Sequence, residues 1–282
     1  MKVKGKRKAL FIVLSVIFGL YAVSLLFPFA YMLLNSFKTN GEFLDNVWAL
    51  PKRLIEQNDL FRNYKTAFAE SGLVNMLINS VVLTFFGTLV ATLFPVAVAY
   101  ILSKYRFKLN SVIFTVAIIF MVIPNVGTAV ATYSLFLDLS LLDTYQGAIM
   151  LYAAPFGAYF LLLYGYFKGI SWSYAEAAFM DGASDFRVMV SIMIPQAWPG
   201  ISVVLLLNGI NIWNDYYTPY MFMPNARTIS TGIQAMSFNA TSTGFYAELF
   251  AAVVVVLIPV IIVFLLTQKV LMNNTMAGGL KG

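Results

Sequence analysis

The densest polar chemistry inside an apolar run of this chain is Asn208, Asn211, Asn214 and Asp215, accompanied by Trp213, Tyr216 and Tyr217. Asn208, Asn211 and Asp215 are spaced by three and four residues, so they share one face of a helix. An amide both donates and accepts hydrogen bonds, and an aromatic face covers apolar ring surface. The set can therefore line a path for a polar solute as candidate translocation residues. Polar groups at membrane depth are costly and usually face a cavity or a neighbouring helix. The same amides can equally act as glue between helices, and Asp215 can sit at the outer interface with its charge solvated. Asn79 with Ser80, and Asn125 beside Pro124, are secondary candidates.

A second constellation runs from Ser171 to Arg187. Glu176, Ala177, Ala178, Phe179 and Met180 predict a short amphipathic helical turn. Gly182, after Asp181, can end it in a left-handed conformation. Ser184 is a good N-cap for a following helix, with Asp185 in its first turn. Helix, glycine break, helix makes a projecting knob. Ala177 and Ala178, with Ala183 beyond the break, would let a partner backbone approach, and Phe179 and Met180 would supply apolar anchors. By helical spacing alone the segment could also be a connector lying on a membrane surface.

Other chemistry is excluded. With no cysteine and no histidine, disulfides, thiol chemistry and Cys/His metal sites are impossible. No G-x-x-x-x-G-K-[ST] phosphate loop is present. No pair of carboxylates in an apolar run is placed for acid–base work.

The elements that must position these groups are membrane helices. The chain is 60% hydrophobic and 11% charged, with mean hydropathy +0.81, against roughly 25% charged residues in soluble domains. A helix needs about 20 apolar residues to cross the hydrocarbon core. Six segments qualify: 9–34, 74–102, 111–135, 146–167, 198–220 and 249–268. In lipid the backbone must satisfy itself, so these are helices in an all-α polytopic bundle. Pro28, Pro95, Pro124, Pro155 and Pro259 lie within them and predict kinks. The first run follows a basic stretch but is too long for a signal peptide's apolar region of about 7–15 residues, so it reads as an uncleaved span.

Six spans place both termini on one side. Of the 18 lysines and arginines, the loops on the opposite side hold only Lys38, Lys52, Arg53, Arg62, Lys65 and Arg227. The rest cluster at the N-terminus, at Lys104, Arg106 and Lys108, at Lys168 and Arg187, and at Lys269 and Lys281. The positive-inside rule makes that side cytoplasmic, both termini and the 171–187 loop included. The net charge of +6 is thereby explained by topology, with no nucleic-acid partner.

Glu176-Ala-Ala, Asp181-Gly-Ala, Ile192 and Pro195 closely resemble the EAA loop of ABC-importer permeases, whose pattern is EAA-x3-G-x9-I-x-L-P. The spacing matches, and Ile194 stands at the leucine. Asn63-Tyr64, Asn79-Ser80, Ala99-Tyr100 to Phe107, Leu142 to Tyr145, Trp213-Asn214-Asp215 and the tail from Ala277 to Gly282 are similar to the carbohydrate branch, the smaller maltose-type subunit above all. The resemblance covers residues 60–282 well and the first span loosely. It implies a type I ABC importer permease fold in the cell membrane and import of a sugar or oligosaccharide. It implies partners too: two cytoplasmic ATP-binding subunits, a second and related permease chain, and an extracytoplasmic solute-binding protein. ATP and Mg would be used by the partner, with no cofactor on this chain. Glu176 would pair with a basic residue of the ATPase, Ala177 and Ala178 would pack closely, and Gly182 would keep the bend. The alternatives are a permease of this kind for another solute, a proton-coupled secondary transporter, or a membrane enzyme. The absence of intramembrane acids apart from Asp215, of repeats and of a catalytic constellation weighs against the last two.

Overall fold

The computed structural model of the chain describes residues 5–52, 59–69, 72–123 and 127–278. Among these the regular structure is helical and no strand occurs. Pro124, Asn125 and the tail from Gly279 lie outside the described residues.

Among the described residues four helices are long and apolar enough to cross a membrane: Leu10–Ser36, Leu73–Lys104, Asp185–Asn214 and Tyr246–Leu265. The first lies within α1 (Gly5–Ser36), the second is α4 (Leu73–Lys104), and the last begins α14 (Tyr246–Gly278). Pro28, Pro95 and Pro259 sit inside these three without ending them. Every residue from Leu10 to Ala30 is exposed, which water would not tolerate over such a length but lipid does.

The third and fourth apolar segments differ from the sequence expectation. Residues 111–135 are not one helix but α5 (Asn110–Val122) and α6 (Thr128–Asp138), with Gly127 left-handed at φ +88°. Residues 146–167 divide into α7 (Tyr145–Leu151) and α8 (Ala158–Gly169). Pro155 and Gly157, the latter at φ +145°, lie in the interruption. Proline removes a donor, and only glycine takes that φ without strain, so the pair breaks the helix instead of kinking it.

The fifth segment starts earlier than expected. Helix runs on from α10 (Asp185–Val188) through a π-helical turn, Met189–Met193, into α11 (Ile194–Asn214). Ile194 N–H donates to the carbonyl of Met189, five residues back. Pro195 has no N–H to offer, and a widened turn accommodates its ring next to the preceding carbonyls. After α11 the chain turns at Asp215 into α12 (Tyr217–Phe222), and α13 (Ile229–Thr243) precedes α14.

The chain groups into two compact units, Met1–Val74 with Gly232–Ile261, and Asn75–Thr231 with Ile262–Gly282. In the first, α2 (Asn40–Asp45) opens with a capping box between Thr39 and Glu42. Lys38 is fully buried and donates from Nζ to the carbonyls of Asn46 (3.0 Å) and Val47 (2.8 Å). Burial depresses its pKa, partly opposed by the Glu42 charge. Asn63, from α3 (Arg62–Ala69), donates to the carbonyls of Ser36 and Lys38 at 2.7 Å each. Ala67 and Leu73 pack with Ala252 and Val255.

The second unit holds the larger core. Val96, Ala99, Tyr100 and Leu102 of α4 meet Phe160, Leu163 and Phe167 of α8 and Val188, Met193, Ala197, Ile201 and Val204 along α10 to α11. Gly200 lets α11 approach the Tyr166 ring so closely that an added Cβ would lie 2.7 Å from it.

Candidate functional site

The 171–187 knob is built as the sequence predicts, and then packed in a way the sequence does not show. The short helix α9 is Ser173–Met180. It ends in a Schellman arrangement: Gly182 N–H donates to Phe179 O (3.0 Å) and Ala183 N–H to Ala178 O (2.9 Å). Gly182 has φ +80°, and no atom lies within 4 Å of where its Cβ would be. Ser184 Oγ accepts from Arg187 N–H at 3.4 Å and caps α10.

The division of labour along α9 needs correction. Ala175 and Ala178, three residues apart, form its inward face and belong to the core of the second unit. Ala178 is therefore not offered to a partner. Phe179 is half-buried, with its ring 6.0 Å from that of Trp172. The surface left free is Tyr174, Glu176, Ala177, Met180, Asp181 and Gly182, followed by Phe186. Met180 is 88% exposed, the highest figure among the exposed large apolar side chains, and stands beside exposed Tyr174 and Phe186 in the same segment. Tyr174 and Phe186 were missed in the sequence because neither belongs to the EAA pattern. Their positions beside the pattern were the available signal.

The knob is braced from the end of α4. Tyr105 Oη donates to Asp185 Oδ1 at 2.7 Å, and the Tyr100 hydroxyl lies 3.3 Å from that of Tyr105. Burial, then the bonds to Tyr100 and Asp185 and the nearby carboxylate charge, push the Tyr105 phenol above its ordinary range, so it stays a donor. The Tyr105 ring meets Trp172 edge-on at 5.6 Å. Lys104 Nζ donates to Ile170 O, and Asn110 Nδ2 binds Leu102 O and Tyr105 O. The knob, the end of α4 and the start of α11 are thus one packed body.

At the other end of α11 lies a cavity of about 560 Å³. Asn211, Asn214, Asp215 and Tyr216 line it from one side, and Tyr152 and Phe156 from the interruption between α7 and α8, with Tyr159 from the first turn of α8. Asn211 Nδ2 donates to Tyr159 Oη at 2.8 Å. Asp215 Oδ2 accepts from Tyr152 Oη at 2.8 Å, and Oδ1 accepts from the N–H groups of Tyr217 (2.9 Å) and Thr218 (3.2 Å). Its carboxylate is held by these donors, one residue beyond the end of the apolar span Asp185–Asn214. Asn208 reaches the same wall but is buried, donating to Ala91 O (3.2 Å) and Thr92 Oγ1 (3.1 Å). It is the packing amide of the set. Tyr152, Phe156 and Tyr159 escaped sequence reading. The signal for the first two was Pro155, read as a kink in a helix, together with Gly157 two residues on, which was not weighed; the pair marks a loop.

Asn79 and Ser80 line no part of this cavity. Asn79 Oδ1 accepts from Tyr145 Oη and its Nδ2 donates to Arg227 O, while Ser80 Oγ accepts from Ile229 N–H. With Asp143 accepting from Asn225, they tie the loops before α7 and α13 to the start of α4.

Residues 91–272 match a protein family described as binding-protein-dependent transport system inner membrane component. A starch degradation products transport permease described as probable, from Thermoanaerobacterium thermosulfurigenes, is 30% identical over 98% of this chain and 97% of that protein. A diacetylchitobiose uptake permease of Streptomyces coelicolor is 28% identical over 92% of this chain and 85% of its own length. A melibiose, raffinose and stachyose import permease of Bacillus subtilis is 25% identical, covering 96% of each. Among solved structures, a chain of a bacterial ABC transporter importing the acidic polysaccharide alginate superposes with TM-score 0.77 and 26% identity, over 95% of this chain and 99% of that one.

Proposed function

The chain belongs to the family of binding-protein-dependent transport inner-membrane components, and from that premise we propose that it is the sugar-importing kind, carrying a mono- or oligosaccharide inward at the expense of ATP hydrolysed by a partner. It is a membrane-embedded permease subunit of the type I importer fold. The relatives named above handle starch fragments, a chitin disaccharide and raffinose-type sugars, which supports the substrate class.

One observation carries the mechanism: the knob is packed into the same core as α4, α8 and α11, and α11 leads without interruption from the knob to the cavity. A push on Tyr174, Glu176, Ala177 or Met180 would be transmitted as rigid-body motion, since packed cores are bistable and not continuously deformable. In our reading two ATP-binding subunits using ATP and Mg close on each other, and one receives this knob. A second, related permease chain completes the pathway, and an extracytoplasmic binding protein delivers solute. The termini and the knob face the cytoplasm.

The test is to purify the tagged chain from its native membrane, identify its companions, and reconstitute the assembly. Sugar uptake that depends on ATP and on the binding protein is the expected result. A lone stable protein driven by a proton gradient would overturn the reading. The absence of native cysteines makes orientation separately testable. A Lys108→Cys variant should resist a membrane-impermeant thiol reagent in intact cells and an Asp138→Cys variant should react.

A further inference from the structure

We propose that the cavity between the end of α11 and the α7–α8 interruption is a saccharide subsite on this chain itself, and that it takes neutral sugar rings while rejecting acidic ones. The inference rests on the importer reading above and goes beyond it by assigning contact with solute, and charge selection, to this subunit.

The cavity's size, about 560 Å³, falls within the range of small-molecule sites. Its chemistry matches a pyranose on both counts. Phe156 and Tyr216 supply aromatic surface to the lining, the kind that covers the C–H surfaces of a sugar. Asn211, Asn214 and Tyr159 offer amides and a phenol to its hydroxyls. Asn214 and Asn211 are exposed to the space. The bond from Asn211 Nδ2 to Tyr159 Oη fixes the Asn211 amide, and Asn214 Nδ2 is held by Ile210 O at 2.8 Å. In both cases the amide's other pole, Oδ1, is left as the acceptor of the pair.

The charge argument comes from Asp215. Among the described residues that line the cavity it is the sole acidic or basic one. Its carboxylate accepts two backbone N–H groups at Oδ1 and the Tyr152 hydroxyl at Oδ2. An ionised carboxylate has about four acceptor positions, so one remains on Oδ2 for a sugar hydroxyl. A fixed negative charge with no lysine or arginine in the lining favours a hydroxyl donor. It disfavours a uronate carboxylate, which would face that charge with no cation among the described lining residues to offset it.

The probe is a thiol placed in the wall of a chain that has no other. In the assembled, reconstituted transporter carrying Asn214→Cys, labelling rates are measured with a trimethylammonium and a sulfonate methanethiosulfonate, each normalised to 2-mercaptoethanol. The cationic reagent should be favoured by about tenfold through the neighbouring carboxylate. Asp215→Asn in the same background, which keeps the shape and an acceptor, should abolish the preference. Maltotriose and raffinose serve as neutral probes and trigalacturonate as the acidic one. At least one neutral sugar should slow labelling at concentrations where trigalacturonate does not. No charge preference, no protection by either neutral sugar, or equal protection by trigalacturonate overturns the proposal. Uptake of sugar that persists without protection would do so while leaving the importer reading standing, whereas loss of that reading would show as ATP-independent transport.

Discussion

Replacing Gly182 isolates one physical quantity. The residue has φ +80° and nothing lies within 4 Å of its would-be Cβ, so a side chain there meets no obstacle. Its whole cost is the left-handed backbone, about 1–2 kcal/mol for an L-residue. Two hydrogen bonds of the Schellman turn depend on that conformation. The chain either bears the strain or lets the turn unwind and must rewind it on docking. With about 1.4 kcal/mol per tenfold change in binding, Gly182→Val should weaken capture of the ATP-binding subunit by roughly 5–30-fold. Gly182→Ala should fall at the lower end, and Gly182→Asn should come close to the parent, because asparagine visits this region readily. Gly165→Ala is the matched comparison: its Cβ also meets nothing within 4 Å, but in ordinary helix. Gly147 cannot serve, since its Cβ would fall 2.1 Å from Leu141 O. The assay titrates the purified ATP-binding subunit against reconstituted permease and follows ATP turnover and uptake together. Equal affinity and uptake for Gly182→Val and the parent, or asparagine as harmful as valine, would refute the reasoning.

Tyr105→Phe removes the 2.7 Å bond to Asp185, worth about 1 kcal/mol at this partly exposed site. Hydrogen exchange across 171–187 should quicken, Asp185→Asn should give a similar result, and unchanged exchange in both would count against the brace. Asn208→Leu should lower the yield of assembled complex, because it strands Thr92 and the Ala91 carbonyl. Asn211→Leu should lower uptake while assembly and basal ATP turnover persist, and identical behaviour of the two variants would deny them separate roles. Gly200→Ala presses a methyl to 2.7 Å from the Tyr166 ring and should cost about 1–3 kcal/mol of stability by overpacking. The thermal midpoint should drop and recover in part with Tyr166→Leu added; an unaffected midpoint would contradict the close approach.

What could be read in the sequence follows from what hydropathy and spacing measure. Apolar length located α1, α4 and the start of α14 to within a few residues, since an apolar run of that size has no other stable form in lipid; α14 runs ten residues past the expected end because polar residues can continue a helix beyond the apolar stretch. It could not report continuity. Pro28 and Pro95 stay inside helices, whereas Pro155 lies in a break. The difference rests on Gly157 two residues on, a backbone choice that hydropathy does not record. The knob was legible because Gly182 and Ser184 each have a local conformational job. The burial of Ala178 was not, because alanine on a short helix reads alike whether it faces a partner or its own core. Nothing in the local sequence marked Lys38 as buried either, since its partners are backbone carbonyls, not an acid.

The π-helical turn at Met189–Met193 sets an angular phase. A helix advances about 100° per residue, and a turn of this type accommodates roughly one residue more than an α-helix would. The azimuth of Asn211 and Asp215 about the axis of α11, relative to the knob at its other end, is therefore kept by the widening, which absorbs the surplus residue within one turn. Winding the same residues as regular α-helix would swing the far end by about 100° and carry the polar stripe away from Tyr152 and Tyr159, whereas deleting Ser191 as the turn tightens would leave the stripe in phase. The chain works as a crankshaft whose throw is set by the winding of one turn in the middle.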